Sequence, residues 1–521
     1  MHRFKAEELG VPESAIVDDV GPRTVKRLDE IRAAAEQPPP PPPPRVRRDI
    51  WSLEGEQSWH PITRAYALAI AEMQTRDASD PTSWTYQAQI HGMADGGQPD
   101  QFRGQCQHNS WFFLPWHRLY LHWFEQTVLA AVRAHPEIDD ETKATWALPY
   151  WDYSPGGRRA TLPEAFRQEQ HPDDANRRNP LFVANRNAFI NDGEELDPLA
   201  TSLAAALAER KFSLRRPAGG FAGAATGFNH FNQDANRFPG MLEQTPHNDV
   251  HGEVGGDMAG FDTAGLDPVF WMHHANIDRV WVMWIGQDGM ENPDPAGPWG
   301  TTGWSFHDAD GGEVTASASG VVNTATDLGY EYEDTSLPEP DRRRRGRRVP
   351  AEPPPDHPAE LVGATEDPVE LTGGMKRVAL SVGEPSGPAR RGGDEPKRVY
   401  LTVEGIEGER NPGVTYAVYV NLPDDADVDE EPESHYAGNV SFFGIEHTRR
   451  VDTDPGGHGM ARSFDITGLV SELRATGTWD PDEVTVTFVP LRRGTRRRRG
   501  ASDAEGQGPP VKVGRIGVYF Q

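Results

Sequence analysis

One stretch constrains this chain more than any other: residues 267–284, reading Asp-Pro-Val-Phe-Trp-Met-His-His-Ala-Asn-Ile-Asp-Arg-Val-Trp-Val-Met-Trp. Aspartate followed by proline caps and starts a helix, because the carboxylate accepts from a first-turn amide and proline there has no amide to leave unpaired. Phe270, His274, Ile277, Asp278 and Trp281 then recur at spacings of three and four, so one helix face carries apolar groups, an imidazole and a carboxylate together. Buried polar groups need partners. A histidine four residues before an aspartate in an apolar stripe therefore reads as a ligand steered by its neighbour, against the plainer reading of a satisfied core histidine.

Two further histidine groups favour the ligand. Thr-Pro-His-Asn-Asp-Val-His at 245–251 sets His247 and His251 four apart, one above the other on a helix face, as two adjacent positions around a metal require. With His274 they make one trio. Upstream, His108 and His117 are nine apart, two and a half turns, which on one straight helix would point them to opposite sides. Pro115 resolves this by marking where the helix starts, so that His108 approaches from the entering chain; His91 from the preceding segment completes a second trio. Six neutral imidazoles without a carboxylate suit copper cycling between its two oxidation states better than catalytic zinc. His273 adjoins His274 but lacks the relation to Asp278 and reads as structural.

At 521 residues the chain exceeds one ordinary core. Residues 1–44 read as a polar leader with a helix over 24–36 and a stiff proline run at 38–44. Residues 45–335 are aromatic-rich and mainly helical, with helices expected over 60–73, 82–93, 112–135 and 242–252. Residues 336–370, loaded with arginine and proline, read as an exposed, protease-sensitive linker. Over 371–521 the period changes to two, at 399–403, 416–421, 484–489 and 513–519, which predicts an all-β sandwich with a basic loop at 492–499.

The net charge of −28 argues against nucleic acid or an anionic membrane as partner. With one cysteine, Cys106, no intrachain disulfide forms, and the absence of a long apolar run or a secretion signal predicts a cytoplasmic protein without membrane spans.

Phe-Leu-Pro-Trp-His-Arg at 113–118, Pro-His-Asn-Asp-Val-His at 246–251 and the Asp-Pro-Val-Phe-Trp-Met-His-His motif from 267 together resemble the type 3 copper family of tyrosinases, catechol oxidases and molluscan haemocyanins. The resemblance implies a four-helix bundle holding a dinuclear copper site. His91, His108 and His117 would bind the first copper, CuA, and His247, His251 and His274 the second, CuB. Cys106 stands two before His108, as in members whose cysteine is joined to that ring by a thioether. Tyr-Glu-Tyr at 330–332 is similar to the tyrosine motif that closes the catalytic domain of plant polyphenol oxidases, with Arg48 as its expected cation–π partner. The region beyond 403 is similar to their C-terminal domain.

The chemistry so implied uses dioxygen to hydroxylate monophenols and to oxidise catechols to o-quinones. Glu243, four before His247, and Asn248, directly after it, match residues proposed to hold the water that takes the phenol proton. Phe261 matches a gate residue over the first copper, while Gly252, lacking a side chain, would widen the mouth. The C-terminal domain is expected to be a lid, removed by an activating protease, although a permanent stabilising domain remains the alternative. An o-aminophenol oxidase, a catechol oxidase without monophenolase activity, and a haemocyanin-like oxygen carrier are the competing readings.

Overall fold

The computed structural model describes residues 21–36, 44–53, 59–94, 96–172, 174–227, 236–338, 358–383, 398–426, 435–449, 459–491 and 508–521. Most of the proline run, of the linker and of the basic loop lies outside them. The chain divides into two compact units, residues 1–44 and residues 45–521. In the first, Pro22–Glu36 is a helix, as the leader's pattern predicts.

The second unit begins with strand β1 (Arg45–Arg47), which pairs in parallel with β2 (Tyr330–Tyr332), so the two ends of the helical part meet. Between them lie helices α1 (Pro61–Met73), α2 (Trp84–His91), α3 (Phe113–Ala134), α4 (Asp249–Val254) and α5 (Pro268–Ile285). Three of these starts carry a side-chain cap. His60 Nδ1 accepts from the Ile62 amide at α1, the Ser83 hydroxyl from Tyr86 at α2, and the Asp267 carboxylate from Val269 at α5. Both α1 and α5 pack on α3, and the Tyr66 hydroxyl of α1 donates to the Pro268 carbonyl at the head of α5. The core between them is built from large aromatics, among them Trp116, Trp271, Trp281 and Trp284, all fully buried.

The expected helix over 242–252 is two pieces. A π-helical turn, Glu243–Asn248, precedes α4, and Thr245 within it has extended backbone angles before Pro246. Proline disfavours a helical conformation in the residue before it, so the helix cannot run through.

In the C-terminal region, β3 (Glu360–Ala364), β4 (Val369–Leu371), β6 (Val399–Glu407), β9 (Met460–Asp465) and β11 (Val511–Phe520) form a five-stranded sheet, in which β11 pairs with β6, β3 and β4. A four-stranded sheet holds β5 (Lys376–Leu380), β7 (Tyr416–Val420), β8 (Tyr436–Val440) and β10 (Val484–Pro490). Both sheets contribute to one apolar core through residues such as Val403, Val418, Val486 and Val518. Two details differ from the sequence reading. Strand β3 and the first two residues of β4 fall inside the segment taken as linker, and the region is not purely β: Thr467–Thr476 is a helix that buries Val470 and Leu473 against the strands. No helix among the described residues is long and apolar enough to cross a membrane.

Candidate metal centre

Each of the six singled-out histidines is buried, and four short pieces of chain carry them. His91 ends α2. Its Nδ1–H donates to the Phe261 carbonyl at 2.8 Å, an approach that depends on Gly92, where a Cβ would lie 2.3 Å from that oxygen. His117 sits in the first turns of α3 and donates from Nδ1 to the Phe113 carbonyl at 2.8 Å. His108 comes from the chain entering α3, as Pro115 suggests, and its ring lies 5.3 Å from that of His91 and 5.0 Å from that of His117, centroid to centroid.

The other trio is tighter. Nε2 of His274 stands 3.3 Å from Nε2 of both His247 and His251. His251 Nδ1–H donates to the Met258 carbonyl at 2.6 Å and His247 Nδ1–H to the Asn248 amide oxygen at 2.9 Å. The two trios adjoin, with the His117 and His274 rings stacked at 4.6 Å. A proton fixed on Nδ1 leaves the lone pair on Nε2, so these hydrogen bonds choose the ligating nitrogen in advance. Burial, reinforced in most of them by the neighbouring imidazoles, lowers the pKa of all six, so they are neutral near pH 7.

Nε2 of His91 and of His117 has no hydrogen-bond partner among the described residues. Buried nitrogens that converge without protons between them are what a cationic metal would satisfy. The donor set, all imidazole, fits copper.

Several neighbours differ from the sequence reading. Asp278 does not steer His274. Its carboxylate accepts from Arg118 Nε at 2.5 Å and from the Tyr330 and Tyr332 hydroxyls at 2.6 Å each, and His274 instead packs on Phe270 at 4.2 Å. The partner of the tyrosine motif is Arg47, one residue before the expected Arg48. Its guanidinium lies 3.6 Å from the Tyr330 ring centre and pairs with Glu125 at 2.6 Å. Alternation along β1 turns Arg47 inward, whereas Arg48 follows the strand, and sequence proximity alone could not separate the two. His273 is buried beside the second trio, with its Nδ1 at 3.1 Å from the Tyr153 hydroxyl.

Glu243 is buried, and both its oxygens accept from the Asn109 amide at 2.8 and 3.0 Å. Burial pushes its carboxyl up to about 8, against the Asn109 hydrogen bond and the Arg462 charge. Phe261 stacks on His108 with centroids 4.5 Å apart. Gly252 faces the C-terminal region, where an added Cβ would meet Thr415 Oγ1 at 3.3 Å. Cys106 is buried with Sγ within 4.8 Å of ring nitrogens of His91 and His108.

One residue the sequence reading did not single out enters this centre from the C-terminal region. Phe443 stacks on His251 at 3.9 Å and lies edge-on to His247 at 5.5 Å and to Phe261 at 4.5 Å. It belongs to the apolar core of the helical part rather than to that of the sheets. The Phe-Phe-Gly at 442–444 carries no periodic signal that would mark this. Gly444 follows with φ +75, and a Cβ there would lie 2.3 Å from the Phe261 ring, so glycine is required for Phe443 to enter.

Residues 81–287 match the model of the common central domain of tyrosinase, and residues 358–521 match a domain of unknown function. Tyrosinase HcTyr1 of Hahella sp. (strain CCB-MM4) is 32% identical over 513 residues, covering 92% of this chain and 99% of that protein. The chain belongs to the tyrosinase family. Chloroplastic polyphenol oxidase of Malus domestica is 29% identical over 83% of this chain and 74% of its own length. Among solved structures, latent aurone synthase (polyphenol oxidase) from natural source superposes with a TM-score of 0.61 at 25% identity, over 93% of this chain and 91% of that one. Latent apple tyrosinase, at 22% identity and a TM-score of 0.58, shares the fold over 93% of this chain and 98% of its own. As a tyrosinase-family member the chain is an oxidoreductase whose cofactor is a pair of copper ions.

Proposed function

We propose that the protein is a latent polyphenol oxidase that hydroxylates monophenols and oxidises catechols to o-quinones. The observation that carries this reading is the pair of adjoining trios of buried, neutral histidines. In it His91, His108 and His117 hold CuA, and His247, His251 and His274 hold CuB. When bound, the copper pair supplies two-electron oxidation of the phenol by dioxygen.

The chain's own groups do the rest. Carbonyls of Phe261, Phe113 and Met258 hold the rings of His91, His117 and His251 in one tautomer. Glu243 and Asn248 hold the water that takes the phenol proton, and Asn248 also fixes the His247 ring. Phe261 limits the bulk of a substrate over His108. Cys106, whose burial pushes the thiol up and keeps it from acting as a free thiolate, is joined to the His108 ring as a thioether. An intact mass lighter by two hydrogen atoms than the sequence requires checks that bond.

The C-terminal region is the lid and Phe443 its plug, occupying the face of His251 where a substrate ring would lie. Latency in the names of related structures supports this reading. Cleavage in the arginine-rich linker releases the lid, after which Gly252 is uncovered and widens the mouth. The division into leader (1–44), catalytic part (45–335), linker and lid is part of the proposal, with strands β3 and β4 counted to the lid because they pair with β11 in its sheet.

The test is oxygen uptake by copper-loaded protein with tyrosol, 4-methylcatechol and o-aminophenol, before and after limited trypsin. Turnover of tyrosol and 4-methylcatechol that rises on cleavage is expected. Preference for o-aminophenol would make this an aminophenol oxidase, and reversible oxygen binding without turnover would make it a carrier.

A further inference from the structure

The chain turns sharply just after His108. Asn109 has φ +57, in the left-handed region that most side chains avoid and that asparagine tolerates better than most. Such a conformation persists only where the surroundings hold it. Here the Asn109 carbonyl accepts from the Phe238 amide at 2.7 Å, and two residues on, the Trp111 amide donates to the Ala224 carbonyl at 2.9 Å. Gly223 permits this seating, because a Cβ there would lie 2.6 Å from the Ser110 carbonyl oxygen.

So turned, the Asn109 amide donates to both carboxyl oxygens of Glu243, at 2.8 and 3.0 Å. The other groups facing that carboxyl are the Gly240 amide, from the chain before it, and the Arg462 guanidinium from the sheets. A glutamate side chain has many rotamers to lose, so a rigid donor decides where its carboxyl points. Asn109, Glu243 and Asn248 line one cavity with Phe261 and Phe443, and Asn248 there holds the His247 ring.

We propose that Asn109 is a positioning residue for monophenol hydroxylation: its left-handed turn aims the main-chain amide at Glu243 and fixes the carboxyl on the cavity wall it shares with Asn248. The water that takes the phenol proton is held there. What acts is the backbone conformation and not the asparagine side chain. The proposal rests on the phenol oxidase reading and on the part Glu243 plays in it.

The test compares the native full chain with Asn109→Val, whose branched Cβ opposes a positive φ, and with Asn109→Gly, which keeps that φ without a side chain. In the copper-free chain, infrared spectroscopy reads the Glu243 carboxyl C=O stretch, assigned by its absence in Glu243→Gln, at a pH where the group holds its proton. The band is expected to move to higher frequency in Asn109→Val, which loses the amide donor, and to stay in place in Asn109→Gly. In the copper-loaded full chain, with and without limited trypsin, the ratio of tyrosol to 4-methylcatechol turnover is expected to fall at least about tenfold in Asn109→Val and to stay within about twofold of native in Asn109→Gly. If Asn109→Val does not fold, Asn109→Ala is expected to move both readouts part-way in the same direction. A glycine variant as impaired as the valine variant would overturn the proposal, because the side chain would then be what acts. A band and a ratio that valine leaves unmoved would overturn it too. Catechol oxidation by a native chain that never turns over tyrosol removes the monophenol reading beneath the proposal, whereas normal tyrosol turnover with a ratio unmoved in Asn109→Val removes only the role of Asn109.

Discussion

Glu243 shows how one residue's surroundings set what it can do. A carboxyl raised to about 8 is protonated at neutral pH and cannot then take a proton from a phenol by way of water. The ratio of monophenol to catechol rate should therefore climb with pH as Glu243 loses its proton in the native protein, at or below about 8 because bound copper ions favour the carboxylate, and stay flat in Glu243→Gln; a ratio equally pH-dependent in the variant would remove Glu243 from the reaction. Other single residues mark the limit of sequence reading. Spacing identified Asp278 as buried and on the histidine face, yet could not say that Arg118, Arg47 and two tyrosines would take up its oxygens. Arg47→Leu should lower stability by about 3–5 kcal/mol, because it leaves Glu125 and Asp278 short of a buried cation, whereas Arg48→Leu should change it by no more than about 0.5 kcal/mol. Thermal unfolding of the two variants checks this, and equal shifts would contradict it.

Helices were the most legible elements. A 3.6-residue apolar period, a capping side chain and an early proline act locally, so α1, α3 and α5 stand close to where the pattern sets them. The break at Thr245 was less legible, because the i, i+4 pair of histidines looks the same whether or not the preceding turn is regular. Strand alternation likewise located β6, β7, β10 and β11, but β3 and β4 are short and lie beside a low-complexity segment that masks them. At the head of α5, Asp267 both caps the helix and pairs with fully buried Arg186 at 2.7 Å through each oxygen. Asp267→Asn retains a capping side chain, so the further loss in Asp267→Ala should be about 1 kcal/mol. Both variants should lose several kcal/mol from the stranded guanidinium, read as a lower thermal midpoint.

At the scale of the whole molecule, the decisive contacts join parts of the chain far apart in sequence, which no local pattern encodes. Asn439 donates to Asp249 at 3.1 Å, the Ser463 amide donates to Gln244 at 2.9 Å, and Phe443 lies on His251. The histidine trios could be read from motifs, but the position of Phe443 could not, since it is defined by where the two regions meet. If Phe443 is what blocks the site, Phe443→Ala should raise catechol turnover of the uncut chain severalfold and reduce the further gain on trypsin treatment. A variant as latent as the native protein would move the block elsewhere. Copper stoichiometry tests the central claim most directly, by metal analysis of the purified full chain beside His91→Ala and His251→Ala. Two copper ions per chain in the native protein, and about one in each variant, is the expected result. A single copper in the native chain, or two retained in both variants, would contradict a dinuclear centre built from these histidines.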